Sequence, residues 1–410
     1  MRRTLLCLLA LLITFIAQAD GARDDMRAAW RSIRSIEGES PFLTLPSTEE
    51  PMQAGALTDE ALCGALDTVN FLRALAGLDP VTLSPLDTLK CQHGATLLAR
   101  VDYAAHDVPK PEEMEDAFYQ TAREATLKSN VAKLNWTRPT ILEEAILYFA
   151  RDDGEANLNE LGHRRWLLDP AMRETGFGLA VSPSNSSYAL MYAMDRRDDE
   201  DDWETVAWPS AGCFPVELMH SHLAWSISLN EAVYDVRSSA ISVTLSCREP
   251  ALSFQFDCGA GTGDGDCAVS FERCGSGPCV IFRPDFSRTG FTDYLQNQIW
   301  TVRVDGLKTL EGDAAFLEYE ICMASLYAQE VASVELETRA LSMKAGEYAR
   351  LRASVVPIYA DDLTLMWSSS DEAVAVVDAN GGVEAVGRGV ATVVAKSVNG
   401  RVDTCEITVE

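Results

Sequence analysis

The rhythm of apolar positions changes several times along the chain, and each change marks a different kind of element. From Leu5 to Ile16 the run is apolar apart from Thr14, with Met1-Arg2-Arg3 before it and Ala17-Gln18-Ala19 after it. That is the charged start, short apolar stretch and small-residue site of a cleaved export leader. The stretch falls short of the roughly 20 residues a bilayer span needs, so residues 1–19 are expected to be removed and to leave no transmembrane anchor. Residues 20–57 carry Pro41, Pro46 and Pro51 without a sustained period and read as a linker.

A helical rhythm follows. Leu62, Leu66, Val69, Leu72 and Ala76 recur at helical spacing behind Thr58-Asp59-Glu60, with Gly77 as the stop. Ser84-Pro85-Leu86-Asp87 combines a serine cap with proline in the first turn and predicts a second helix to about Arg100. Thr140-Ile141-Leu142-Glu143 has the form of a capping box and opens a third helix that continues through Arg151. Gly176–Val181 and Tyr188–Met194 then read as two strands around a turn.

From Trp208-Pro209 onward the texture becomes short β-rich runs: Trp225–Leu229, Ile241–Leu245, Val269–Phe271, Val280–Phe282, Ile299–Val304 and Phe316–Ile321. With glycine-rich breaks between them, these predict an all-β module over 211–330. Residues 332–410 repeat the style more regularly, with Asn380-Gly381 and Asn399-Gly400 as hairpin signals whose central residues are expected at positive φ.

Charge and cysteine content narrow the partners. The formal charge is −28, and loss of Arg2 and Arg3 with the leader makes it more negative still. Such a field repels phosphate backbones, so nucleic acid is not an expected partner. Of the eleven cysteines Cys7 lies in the leader, and the even remainder in an exported chain predicts a disulfide framework of open connectivity. Cys267, Cys274 and Cys279 lack the paired C-x-x-C spacing of a structural zinc site. Acid-rich stretches at Arg196–Asp202 and Gly259–Asp266 read as solvated loops without the spacing of a calcium hand.

Five histidines are present. His93 falls on an apolar helix face and reads as a packed or hydrogen-bonded side chain. His220 and His222 alternate around Ser221, which predicts one strand face for both. His106 and His163 lie in richer settings. Asn70-Phe71-Leu72-Arg73-Ala74-Leu75-Ala76-Gly77-Leu78, then His106, Ser129-Asn130-Val131-Ala132, Gly162-His163-Arg164-Arg165-Trp166 and Gly176-Phe177-Gly178 follow in the order of a bacterial CAP (SCP-like) domain, which residues 58–210 resemble. The resemblance implies an α-β-α sandwich with a cleft marked by two histidines and two acids that sometimes hold zinc. His106 and His163 match the histidines and Asp152 one acid, whereas the family's glutamate is replaced by Ser129. Glu144, about two helical turns before Asp152, is a candidate substitute.

Val334-Glu335-Leu336, Trp367-Ser368-Ser369-Ser370-Asp371 and Gly387-Arg388-Gly389-Val390-Ala391-Thr392-Val393 resemble the bacterial immunoglobulin-like domain of group 2. The expected fold is therefore multidomain: a CAP-like α-β-α sandwich, an all-β module and a C-terminal immunoglobulin-like β-sandwich. The expected function is binding of an extracellular ligand or cell-surface component through the cleft and β modules, with no cofactor required. A second reading is a zinc-dependent hydrolase in which His106, His163 and Asp152 hold Zn²⁺ and no nucleophile is set by motif. A hydrogen-bonded polar cluster without turnover is the structural reading of the same cleft residues, and a purely structural adhesin is the third function.

Overall fold

The computed structural model describes residues 21–33, 40–135, 138–154, 158–195, 203–275 and 277–410. The residues 1–19 expected to form an export leader and the Arg196–Asp202 run lie outside the described residues. The chain divides into two compact units, one of residues up to 294 together with 298–324, the other of 295–297 with 325–410.

Helix α1 spans 21–33, inside the stretch that the sequence presents as a linker. Met26, Trp30 and Ile33 are its buried stripe, spaced by four and three residues, and Trp30 lies 5.3 Å from the Phe71 ring. A short antiparallel pair, β1 (Phe42–Thr44) and β2 (Ala56–Leu57), follows. The expected linker is therefore partly structured, because a three-residue apolar stripe among charges suffices to fix a helix on a neighbour.

Helix α2 (Asp59–Leu75) starts where Thr58 accepts from the Ala61 amide, and its acids Asp59 and Glu60 sit on the positive end of the helix dipole. After β3 (Thr82–Leu83), helix α3 (Pro85–Val101) is capped by Ser84 and ends at Asp102 in the left-handed region. Helix α4 (Asp116–Lys128) runs directly into β4 (Ser129–Leu134). Helix α5 (Ile141–Arg151) begins as expected, but the box does not close: Thr140 donates to Glu144 Oε1 at 3.1 Å instead of capping the amides. The six-residue α6 (Gly162–Leu167) precedes β5 (Glu174–Thr175), β6 (Phe177–Val181) and β7 (Ser187–Tyr192).

Strands β4, β7 and β6 form a three-stranded antiparallel sheet with β7 in the centre. All six β7 side chains are buried, so both faces of the sheet are covered. Tyr188, Leu190 and Tyr192 share a core with α3 and α4, while α5 packs on β4 and β7. Gly178 lets α3 approach closely, since a Cβ there would collide with the Cys91 backbone.

The strands β8 (Thr205–Trp208), β9 (Gly212–Pro215), β10 (Trp225–Leu229), β11 (Ser242–Cys247), β12 (Leu252–Asp257), β13 (Thr262–Gly263), β14 (Gly265–Ser270), β15 (Cys279–Pro284), β16 (Ile299–Lys308) and β17 (Ala314–Ala324) build two sheets, ordered β14-β15-β10-β8 and β13-β12-β11-β16-β17-β9. Their facing sides meet in an aromatic core: Trp225 lies 6.3 Å from Trp300 and Phe256 lies 5.4 Å from Phe282. Strand β8 pairs with β10 in the first of these sheets, and the residues up to 294 together with 298–324 form one compact unit that includes the helices.

The second unit contains β18 (Ser333–Leu336), β19 (Ala340–Met343), β20 (Tyr348–Arg350), β21 (Ala353–Val356), β22 (Leu365–Ser369), β23 (Ala375–Val377), β24 (Gly382–Ala385), β25 (Gly389–Ser397) and β26 (Val402–Val409). They pair as β18-β21, β19-β26-β25-β22 and β20-β24-β23 around a core that includes Val383, Val393, Cys405 and Ile407. Both Asn-Gly sites lie in turns, but only Gly381 and Gly400 take positive φ, and each connection spans four residues rather than two.

The disulfide framework expected from the cysteine count reduces, among the described residues, to Cys258–Cys267. Cys91, Cys279 and Cys405 are instead buried thiols, used as small apolar core residues.

Candidate functional site

His106 and His163 line one cavity of about 380 Å³, together with Leu127, Ser129, Asn130, Glu160, Trp166, Met194 and Cys274. Each imidazole is held from behind. His106 Nδ1 meets the Thr126 carbonyl at 2.8 Å, and Thr126 Oγ1 donates back to the His106 carbonyl at 2.7 Å. A carbonyl can only accept, so Nδ1 carries the proton and Nε2 is the unprotonated nitrogen of the neutral ring.

Asp152 performs the same task for His163. As the left-handed residue that ends α5, with φ 50°, it turns its carboxylate back toward α6. Oδ1 accepts from His163 Nδ1 at 3.0 Å and Oδ2 accepts from the Arg164 amide at 3.1 Å. Phe149 packs on the imidazole with ring centroids 5.3 Å apart, and Asn130 donates to the His163 carbonyl at 2.8 Å. Asp152 is buried and is absent from the cavity lining, so it orients His163 rather than meeting a ligand.

The remaining sequence candidates separate. Ser129 stands at the cavity wall, with its hydroxyl 3.4 Å from Cys91 Sγ, and burial pushes that thiol up to about 12. Glu144 is elsewhere: it pairs with Arg138 at 3.3 Å and lines a small hollow with Trp30, Ile33 and Thr68. Zinc fits these residues poorly. Among the described residues no three His, Cys, Asp or Glu side chains are gathered to hold a metal ion, and Asp152 already has both oxygens engaged.

Two residues at this site had no foreseeable role in the sequence. Glu160 and Cys274 both face the cavity, and Cys274 arrives from the connection between β14 and β15, over a hundred residues beyond His163. Burial raises its thiol pKa, partly opposed by the Arg165 charge. The connection is held by α6. Arg165 donates to the carbonyls of Glu272 at 2.8 Å and Gly277 at 2.9 Å, and Gly275, at φ +64°, lies so close to the Arg165 carbonyl that a Cβ would collide with it. Arg164 is wholly buried and donates to the carbonyls of Ala150 at 2.7 Å, Arg151 at 2.6 Å and Ala224 at 2.7 Å. Burial draws its guanidinium down to about 10 against the pull of the Asp152 charge.

The other histidines do not join the cavity. His93 Nδ1 meets the Leu89 carbonyl at 2.8 Å and its ring packs on Phe118. His220 and His222 lie in a turn rather than on a strand, with parallel rings 5.8 Å apart, and Asp293 reaches His220 Nδ1 at 2.9 Å. In the glycine-rich stretch, Asp264 accepts from the Gln255 amide and Asp266 pairs with Arg283, so these carboxylates serve the fold.

Comparison with known proteins identifies the C-terminal unit. Residues 330–407 match the family model of the bacterial Ig-like domain, group 2. Lacto-N-biosidase of Bifidobacterium bifidum and 3-O-alpha-D-galactosyl-alpha-L-arabinofuranosidase of Bifidobacterium longum are each 46% identical over 70 residues, which is 17% of this chain and 6% of those proteins. The chain thus spans a small fraction of the curated relatives it matches. Among solved structures, domains 4 and 5 of the S-layer protein SbsC align over 27% of this chain and 64% of theirs, at 15% identity and a TM-score of 0.18. An intimin fragment in complex with its translocated receptor's binding domain aligns over 45% of this chain and 57% of its own, at 14% identity and a TM-score of 0.15. Likeness this slight assigns no activity. Among the described residues no helix is long and apolar enough to cross a membrane.

Proposed function

We propose that this chain is an extracellular, surface-associated binding protein whose first unit takes a small ligand into the His106/His163 cavity and whose bacterial Ig-like domain presents or attaches it. The observation that supports this reading is the pair of imidazoles lining one cavity, each with its Nδ1 held by an acceptor of the protein. Trp166, Leu127 and Met194 supply apolar wall, so the cavity suits a ligand with an apolar body and one or two polar groups. The leader-like start, the acidic charge and the Ig-like match support placement outside the cell.

The CAP-like reading of 58–210 belongs to the same proposal. It is supported by the motif order and by a three-stranded sheet covered on both faces, with the two motif histidines on one cavity. Binding is favoured over zinc-dependent hydrolysis because Asp152 is committed to His163 and Arg164.

The test uses the purified full-length protein and a panel of small amphiphilic compounds in a thermal-shift assay, with zinc content measured in parallel. Stabilisation that is lost in His106→Ala/His163→Ala supports the binding reading. Stoichiometric zinc with chelator-sensitive hydrolysis replaces it by the enzyme reading, and identical behaviour of wild type and double variant in every assay removes both.

A further inference from the structure

We infer that Cys213 and Cys322 are a disulfide-forming pair that locks the edge strand of the six-stranded sheet when the chain is in an oxidising medium. Strand β9 pairs in parallel with β17, and Cys213 stands directly opposite Cys322 in that register. Neighbouring strands lie about 4.8 Å apart. Registered partners project to the same face, and this separation falls within the roughly 4.4–6.8 Å between Cα atoms that a disulfide accepts.

The face is also suitable. Cys322 is in register with Ile299, whose neighbour Trp300 points the other way into the aromatic core. Cys213 and Cys322 therefore share the side of the sheet away from the tryptophans, where Thr301 and Arg303 of β16 are only partly buried. Cys213 is itself partly exposed, which gives an oxidant access to one sulfur of the pair. Cys247 is on the core side, opposite Trp300, and does not compete for this position.

The chemistry is thiol–disulfide exchange with a protein or small-molecule disulfide as oxidant. The Cys213 thiolate attacks one oxidant sulfur and releases the other as a thiolate. The Cys322 thiolate then displaces the remaining oxidant sulfur, forming the Sγ–Sγ bond. Two electrons pass from the cysteine pair to the oxidant, and the two protons lost by Cys213 and Cys322 end on its two thiols.

The experiment maps the full-length protein after incubation with oxidised glutathione, blocking of thiols with N-ethylmaleimide and digestion without reductant. The expected product is a single linked species carrying the Cys213 and Cys322 peptides, two hydrogens lighter than its parts, which separates on reduction. Recovery of either cysteine as an alkylated peptide, or linked to a third cysteine, overturns the inference. A second measurement uses Cys258→Ser/Cys267→Ser, which lacks the other bond: reductant should lower its unfolding midpoint, and an unchanged midpoint overturns the inference as well.

Discussion

Asp152 and Arg164 show how much of the site depends on residues that never face the cavity. Replacing Asp152 by alanine strands the buried Arg164 amide and leaves His163 Nδ1 without its acceptor. A loss of about 2–3 kcal/mol is expected in urea unfolding, with weaker binding of whatever ligand the panel identifies. Arg164→Met should cost about 3–5 kcal/mol in the same measurement, because it removes the donor shared by two buried carbonyls and one half-buried one, and Arg164→Lys should not restore the loss. At this scale the sequence is readable only in part. The motifs single out His106, His163 and Asp152, but the committed oxygens of Asp152 depend on its left-handed turn after α5. Glu144 fails as a substitute for a simple reason. Eight residues at about 100° each leave it roughly 80° around the helix from position 152, and Asp152 no longer follows the helix at all.

Elements whose signals are local are the ones the sequence makes plain. Thr58 and Ser84 cap α2 and α3 through bonds to residues three positions ahead, and Trp225–Leu229 is a strand with the expected bounds. Strand β12 is missed although Phe254 and Phe256 alternate with polar neighbours, because glycine- and acid-rich sequence on its far side masks the period. Helix α1 is missed because its stripe is only three residues deep. Two outcomes test these packings. Gly178→Ala should destabilise the first unit by about 3 kcal/mol or prevent its folding, measured by thermal melting, since backbone rather than a flexible side chain stands where the methyl group would go. At the end of α3, Asp102 accepts from Tyr188 at 2.7 Å and from Lys133 at 3.1 Å, and these bonds hold its carboxyl well below the ordinary carboxylate range. A depressed carboxyl stabilises the fold above its unfolded pKa of about 3.9 and loses that contribution as pH falls further. Asp102→Asn should therefore flatten the dependence of melting temperature on pH below about 4 relative to wild type, and parallel curves would contradict this.

For the whole molecule, composition and strand spacing foretell β-rich modules. The C-terminal unit has its own core and a recognised family pattern, so a fragment of residues 325–410 should unfold cooperatively by itself in circular dichroism; a gradual, non-cooperative melt would contradict that independence. Arg164 and Arg165 grip carbonyls far along the chain, and no local pattern announces such long reaches. That grip has a consequence for how this protein can diversify. One wall of the pocket is delivered by the connection after β14, where Cys274 sits beside Gly275. On the proposed binding reading, substitutions there would alter what the pocket admits while the histidines and the helices that carry them keep their places, so anchoring and selectivity would reside on separate stretches of chain.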